Sequence, residues 1–231
     1  MKPINQWSKD AGGFFLIDKP MGWTSFDVVN KMRFRLRILS QDKNIKVGHA
    51  GTLDPLATGL LIVCVGKMTK EIDSFMGLPK TYIGEMTLGA STPSYDAETE
   101  PDARLPFDHV TPYIIEAART KFIGNINQMP PMYSAIKVAG KPLYESARKG
   151  KVIEVPARPV FIESFTINAG YTLPILSFEV NCSKGTYIRS LVHDFGKACD
   201  TLAFMSALRR TAIGHYNIDS ALTVEAWEKM F

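Results

Sequence analysis

A single carboxylate lies in the least regular stretch of this chain, GHAGTLDPLATG at residues 48–59. The three glycines of this stretch reach backbone conformations that other residues resist, and Pro55 stiffens the chain directly after Asp54. A rigid loop of this kind can hold one carboxylate as a nucleophile, a general base or a metal ligand. An ordinary tight turn, in which Asp54 bonds its own backbone, explains the same composition.

A second stretch offers a cation that could accompany this carboxylate. NCSKGTYIRSL, residues 181–191, brings Lys184, Tyr187 and Arg189 to a predicted junction between a strand and a helix. A carboxylate that stays ionised in a dry pocket needs a cationic partner, and the planar guanidinium of arginine has the best shape for it. The alternative is an exposed basic turn.

An aromatic residue opens a third stretch, KTYIGEMTLG at residues 80–89. Tyr82 lies near the start of a predicted strand, where its ring could stack on a nucleobase or pack into the core. Core packing is the usual outcome for an aromatic side chain in a strand.

Composition excludes several classes of protein. No apolar run reaches the roughly 18 residues of a membrane-spanning helix. The three cysteines are widely spaced and the four histidines are scattered, which argues against a disulfide framework and against a zinc site and suits a reducing cytoplasm. The net charge of +4 permits an anionic partner such as nucleic acid without requiring one.

Regular elements are predicted on both sides of the loop. Residues 14–17 form a short strand, Thr24 or Ser25 caps a helix, and the apolar run 60–65 is a buried strand. Residues 31–38, KMRFRLRI, also alternate like a strand, but the cap and the longer apolar spacing favour a helix. Further helices are predicted at 69–76, 111–121, 142–149, 187–198 and 224–230, and further strands at 81–89, 151–155, 158–168, 174–183 and 202–211.

This order of elements predicts a mixed α+β fold. We expect one domain over residues 1–231, with the polar stretch 91–106 as a long loop within it and residues 1–11 as a flexible lead-in.

Several separated blocks of the chain, in order, resemble the TruB family of pseudouridine synthases, which convert the T-loop uridine of tRNA to pseudouridine. The likeness covers about residues 12–216. It implies the pseudouridine synthase fold, with a mixed, largely antiparallel central sheet flanked by helices and loops. The blocks are GFFLIDKPMGWTS, GHAGTLDPLATGLL, KTYIGEMTLG, QMPPMYSAIKVAGKPLYESARKG, CSKGTYIRSL and LRRTAIGHY.

The resemblance assigns catalytic roles to three residues. Asp54 matches the catalytic aspartate of the family, Arg189 the arginine that pairs with it, and Tyr187 a second active-site tyrosine that could move a proton. Attack by Asp54 on the sugar, attack on the base, and assisted elimination all stay open.

Substrate-binding roles follow in the same way. His49 matches the histidine beside the flipped nucleotide, Tyr82 the tyrosine that stacks on the target base, and Leu208 an apolar wall of the pocket. Lys19 and Pro20 lie in the N-terminal block, where we expect a structural role. The base must leave its stack before it can react, because its carbons are unreachable inside folded RNA.

The expected partner is tRNA, bound through its T-arm stem-loop by a monomer in the cytoplasm, with no membrane, no metal and no cofactor. A non-catalytic RNA-binding or tRNA-folding protein on the same scaffold is the alternative. Because about fifteen residues follow Tyr216, we expect the small C-terminal RNA-binding domain of many members to be absent. Phosphate contacts are expected from three basic groups: Lys31, Arg33, Arg35, Arg37, Lys43 and Lys46; Lys137, Lys141, Arg148, Lys149 and Lys151; and Arg209 and Arg210.

Overall fold

The two most apolar segments of the chain are paired strands in the structure. The computed structural model describes residues 4–134, 136–138, 140–147, 153 and 155–231. The α-helices are α1 (Ser25–Ser40), α2 (Ile72–Gly77), α3 (Pro112–Thr120), α4 (Leu143–Ala147), α5 (Ile188–Ala198) and α6 (Val224–Glu228), with 3₁₀ turns at Gly66–Glu71 and Ile218–Ser220. The strands are β1 (Gln6–Ser8), β2 (Gly12–Lys19), β3 (Val47–His49), β4 (Thr58–Val65), β5 (Lys80–Leu88), β6 (Ala90–Ser91), β7 (Ala103–Arg104), β8 (Gly124–Gln128), β9 (Lys137–Val138), β10 (Lys141–Pro142), β11 (Arg158–Ile167), β12 (Ile175–Cys182), β13 (Ala203–Ile213), β14 (Tyr216–Asn217) and β15 (Leu222–Thr223).

The chain divides into two compact units, and the first contains residues 1–82 and 208–231. Its strands follow the order β1, β2, β4 and β13, with β2 antiparallel to β4 from Gly13 opposite Val65 to Lys19 opposite Gly59. β13 runs parallel to β4. This sheet is therefore mixed, and it brings the start of β4, where the loop 48–59 ends, beside β13.

β2 and β4 are buried on both faces. On β2, Phe15 and Ile17 belong to one apolar cluster, while Phe14 and Leu16 belong to another. Double burial explains why these strands are continuous apolar runs rather than alternating ones.

Helix α1 covers one of these faces. The Thr24 hydroxyl accepts a hydrogen bond from the Asp27 N–H at 3.0 Å, and the Asp27 carboxylate accepts one from the Thr24 N–H at 2.8 Å. This capping box sets the start of the helix, and Met32 and Leu36 then point into the core. The helical interpretation of residues 31–38 is confirmed.

The lead-in differs from its prediction as a flexible segment. Gln6–Ser8 pairs with β2 as the antiparallel strand β1, and Trp7 packs against the α1 side of the core. The Leu16 N–H also donates to the Asn5 side chain at 2.8 Å. Residues 6–8 are therefore held by strand hydrogen bonds and by the packing of the Trp7 indole, although the composition of this segment did not predict a buried residue.

The second unit contains residues 83–207. There β12 lies between β5 and β11, β11 pairs antiparallel with both β12 and β8, and α3 and α5 contact each other. In its interior the ring of Phe165 meets those of Phe178 and Phe195 edge-on, with centroids 6.0 and 5.7 Å apart.

The predicted mixed α+β fold with a largely antiparallel sheet is confirmed. Of the strand predicted at 151–155, residues 151, 152 and 154 lie outside the described residues. The helix predicted at 69–76 is divided between a 3₁₀ turn and α2. The single-domain organisation stays a prediction.

Candidate active site

The loop 48–59 is joined to the sheet at both ends. It leaves β3, where His49 lies opposite Val63, and it enters β4 at Thr58. The Asp54 carbonyl accepts a hydrogen bond from the Ala57 N–H at 3.1 Å, which closes a tight turn. Asp54 is half-buried at the first position of that turn.

A serine of α1 fixes the residue before Asp54. The Ser25 hydroxyl accepts a hydrogen bond from the Leu53 N–H at 2.8 Å and donates one to the Leu53 carbonyl at 3.2 Å. Ser25 is 2% exposed, so water does not compete for these bonds. The helix start therefore holds the main chain next to the carboxylate.

A buried lysine holds the residue after Asp54. The Lys19 ammonium, fully buried at the end of β2, donates to the carbonyls of Trp23 at 2.6 Å, Pro20 at 2.9 Å and Pro55 at 3.4 Å. Burial lowers the pKa of Lys19 to about 8, against the opposing effect of the Asp54 carboxylate. The structural role expected for Lys19 thus has a geometric basis.

A buried arginine of β13 joins the two ends of the loop. The Arg210 guanidinium, 1% exposed, donates from Nε to the Leu60 carbonyl at 2.7 Å and from Nη2 to the Gly51 carbonyl at 3.1 Å. Gly59 allows β13 to approach this closely, because a Cβ there would lie 2.3 Å from the Arg210 carbonyl oxygen.

This geometry corrects the prediction that Arg210 contacts phosphate. A side chain bonded inside the protein to two carbonyls is not on the surface. Its neighbour Arg209 forms a bidentate pair with Asp18, at 2.7 and 3.0 Å. The sequence showed two adjacent basic residues but not that main-chain carbonyls bind one of them.

The three residues predicted to bind the substrate all belong to the first unit. His49 is half-buried, and burial, with a smaller effect of the Arg210 charge, lowers the pKa of its imidazole. A neutral ring at this position can lie beside a nucleobase without burying a charge. Tyr82 is buried in β5 with 9% of its surface exposed, and Leu208 is half-buried in β13.

In the second unit, Arg189 is held by a carboxylate that the sequence did not single out. Arg189 Nε lies 3.5 Å from Asp96 Oδ2, and both side chains are at least 95% buried. The guanidinium also donates to the carbonyls of Ser94 at 3.1 Å and Tyr133 at 2.7 Å. Asp96 was one of several acids in a polar loop, and no local signal distinguished it.

The other predicted residue of this unit, Tyr187, is the N-terminal cap position of α5. The Gln128 side chain binds the main chain of Tyr187 twice: the Tyr187 N–H donates to Oε1 at 2.7 Å, and Nε2 donates to the Tyr187 carbonyl at 3.0 Å. Gln128 is 3% exposed. This bond pair fixes the backbone from which Tyr187 and Arg189 project.

Several of the basic residues predicted to contact phosphate have partners within the first unit. Lys31 pairs with Glu228 at 2.9 Å, Arg33 donates to the Val47 carbonyl at 2.9 Å, and Arg35 donates to Phe231 at 2.6 Å. Of the second predicted group, Arg148, Lys149, Lys151 and the side chains of Lys137 and Lys141 lie outside the described residues.

Two kinds of feature are absent from the residues that the structure describes. Within them, no three His, Cys, Asp or Glu side chains form a group that could hold a metal ion. Within the same part of the chain, no helix combines the length and apolarity needed to cross a membrane.

Two family models together match residues 37–231. The model of the TruB family pseudouridylate synthase N-terminal domain matches residues 37–188, and that of the tRNA pseudouridylate synthase B C-terminal domain matches residues 189–231.

Named bacterial proteins are similar over almost their full length. The tRNA pseudouridine synthase B of Flavobacterium johnsoniae is 48% identical over 219 residues, which cover 94% of this chain and 95% of that protein. The protein of the same name from Parabacteroides distasonis is 46% identical over 215 residues, covering 93% and 91%.

Two solved structures share the fold. A crystal structure of the archaeal box H/ACA sRNP Nop10–Cbf5 complex matches with a TM-score of 0.66 at 26% identity, over 96% of this chain and 54% of that one. An H/ACA RNP bound to a substrate RNA containing 2′-deoxyuridine matches with a TM-score of 0.64 at 27% identity, over 94% and 52%. This chain thus spans about half the length of the chains that it matches in these structures.

Proposed function

Because the chain belongs to the TruB family of pseudouridylate synthases and isomerises uridine of tRNA to pseudouridine, we propose that its target is the T-loop uridine and that Asp54 performs the chemistry. One observation carries the assignment of Asp54. Three buried side chains bind the main chain on both sides of it, while Asp54 itself is half-buried at a turn. Catalytic groups need this kind of pre-organisation.

The reaction breaks the bond between the sugar and a ring nitrogen, turns the uracil, and rejoins it through a ring carbon. The carbon loses a proton and the nitrogen gains one, so no electrons enter or leave. Asp54 acts at the glycosidic bond by attack on the sugar, attack on the ring, or assisted elimination. Tyr187 moves the proton that the carbon loses.

The flipped base is received by the residues predicted to bind it. Tyr82 stacks on the uracil, which offsets roughly 1–3 kcal/mol of the unstacking cost. A neutral His49 lies beside the nucleotide, and Leu208 forms an apolar wall. The lowered pKa of His49 supports this role, because an uncharged imidazole can share a dry pocket with a base.

Arg189 keeps the Asp54 carboxylate ionised and oriented in this proposal. The contacts of Arg189 with Asp96, Ser94 and Tyr133 support it, because a guanidinium held by a buried carboxylate and two carbonyls keeps one orientation. We further propose that the enzyme works as a monomer in the cytoplasm and binds tRNA through its T-arm stem-loop.

The test compares pseudouridine formation in an unmodified tRNA transcript by the wild type and by Asp54→Asn. We expect the variant to lose at least about a thousandfold in rate while it binds the transcript as tightly as the wild type. Asp73→Asn is the matched control, because Asp73 is exposed on α2. Modified uridines are located by carbodiimide treatment and primer extension.

Three outcomes would contradict the proposal. Conversion at the wild-type rate by Asp54→Asn would remove the aspartate from the chemistry. Conversion of a uridine outside the T-loop would leave the activity but change its target. A wild type that binds tRNA without forming pseudouridine would favour a non-catalytic role in RNA binding or folding.

A further inference from the structure

A cavity of about 300 Å³ opens in the first unit at the far end of β4. Its walls come from β1, from the turn before β3, and from the turn after β4. Four lysines line it, and we call this feature the lysine pocket; they are Lys9, Lys46, Lys67 and Lys70.

The charge of the lysine pocket is strongly unbalanced. All four lysines are exposed, and none has an ion-pair partner among the described residues. One acid also lines the pocket, Asp42, whose carboxylate accepts the Asn44 N–H at 2.8 Å. Like charges gathered without counter-charges repel one another, and an anionic ligand relieves that repulsion.

The backbone that carries these lysines is fixed. The Gly66 N–H donates to the Lys46 carbonyl at 2.8 Å, and the Thr69 hydroxyl donates to the Gly66 carbonyl at 2.8 Å. Trp7, in the pocket wall, packs on the core. The pocket is therefore formed before any ligand arrives.

Position separates the lysine pocket from the site around Asp54. β4 runs from Thr58, beside the loop, to Val65, beside the pocket, and seven steps of about 3.3 Å give roughly 23 Å. That distance spans several base pairs of an RNA stem. A ligand in the pocket is therefore distinct from the uridine that reacts.

We propose that the lysine pocket binds backbone phosphates of the tRNA beyond the T-arm hairpin. This inference rests on the proposed function, since it takes tRNA as the ligand. Lysine ammonium groups on flexible stems suit a backbone whose phosphates recur along a strand, and such contacts position an RNA without reading its sequence. The pocket orients the body of the tRNA while the loop around Asp54 receives one nucleotide.

The experiment replaces Lys46, Lys67 and Lys70 together with glutamine. The control replaces three exposed lysines elsewhere with glutamine and so removes the same charge: Lys121, Lys197 and Lys229. Dissociation constants are measured over a range of salt concentrations for a full-length tRNA transcript and for a T-arm hairpin with a stem of about five base pairs, and thermal unfolding checks that both variants fold.

We expect the pocket variant to bind full-length tRNA about tenfold more weakly than the control does, and to bind the hairpin equally well. The slope of log K against log salt should fall by about 2 for tRNA, since each lost phosphate contact removes about 0.7–0.9. Turnover at saturating tRNA should not change, because no pocket residue lies near Asp54.

Two results would overturn the inference. The pocket variant and the control could bind tRNA with equal affinity and slope, or the pocket variant could lose affinity for both RNAs equally, as a general loss of charge would produce. Pseudouridine formation by the wild type, measured in parallel, tests the proposed function separately. A wild type that converts the T-loop uridine while either result holds would refute the lysine pocket alone.

Discussion

The ammonium of Lys19 lies beneath the loop 48–59 with no exposure to water, and its replacement by methionine should change how stability depends on pH. Burial lowers its pKa from 10.5 to about 8. In the unfolded chain the group keeps its ordinary pKa. Between these two values the unfolded state binds the proton and the folded state does not, so stability rises with pH.

The size of the effect follows from the shift. The difference between an ordinary pKa of 10.5 and one of about 8 corresponds to about 3 kcal/mol of destabilisation that is fully present well below pH 8. Integration of the linkage relation gives about 2 kcal/mol of relief between a pH of about 7 and one of about 9.5. Lys19→Met has no such proton, so the wild type should gain about 2 kcal/mol relative to the variant over that interval.

Urea unfolding of both proteins at the two pH values measures this double difference. Other groups that titrate in this range cancel, because both proteins contain them. The sign at a single pH is not diagnostic, since methionine relieves charge burial but leaves the carbonyls of Pro20, Trp23 and Pro55 without their donor. Parallel stability profiles for the two proteins would refute the argument that the ammonium is held in a desolvated site.

Two further predictions concern the shape of the loop. Gly59→Ala should lower the free energy of unfolding by more than about 3 kcal/mol in urea, because the φ of Gly59 is +102° and the new methyl group would meet the Arg210 carbonyl. Gly22→Ala is the control: Gly22 has a φ of +81° and open space around it, so the loss should be only about 1–2 kcal/mol. Equal losses in the two variants would show that backbone strain alone matters. Arg210→Lys should lower kcat roughly 10- to 100-fold with little change in tRNA affinity. The reason is that one ammonium cannot reach both the Gly51 and the Leu60 carbonyls, as the guanidinium does. An unchanged kcat in single-turnover assays would show that the loop keeps its shape without these two hydrogen bonds.

Local signals made much of the fold predictable. A cap at Thr24 or Ser25, together with the longer apolar spacing, decided between helix and strand for residues 31–38. In the structure Thr24 is the cap, and it forms a capping box with Asp27. The apolar runs predicted a short strand at 14–17 and a buried strand at 60–65, and the structure buries both strands on both faces. The strand β1 was not predictable, because its order comes from pairing with β2 and from the burial of Trp7.

The residues that hold the site were the hardest to find. An arginine in a sequence predicts a solvated or RNA-binding side chain, and Arg210 is neither. A structural role was expected for Lys19, but its bonding partners were not predicted. The partners of both side chains are main-chain carbonyls, which every residue has and which no pattern of side chains reveals. Asp96 could not be assigned to Arg189 for a related reason, since 93 residues separate them and neighbouring positions hold other acids.

The loop 48–59 is anchored through its main chain, so the groups that fix its conformation are different from the side chains that it presents. Ser25, Lys19 and Arg210 all bind peptide groups of the loop or its borders, and none of these anchoring bonds involves a loop side chain. The backbone conformation of the loop therefore does not depend, through these bonds, on which side chains the loop carries. New functional groups could therefore be installed at Asp54, or at its exposed neighbour Thr52, without redesign of the scaffold that holds them.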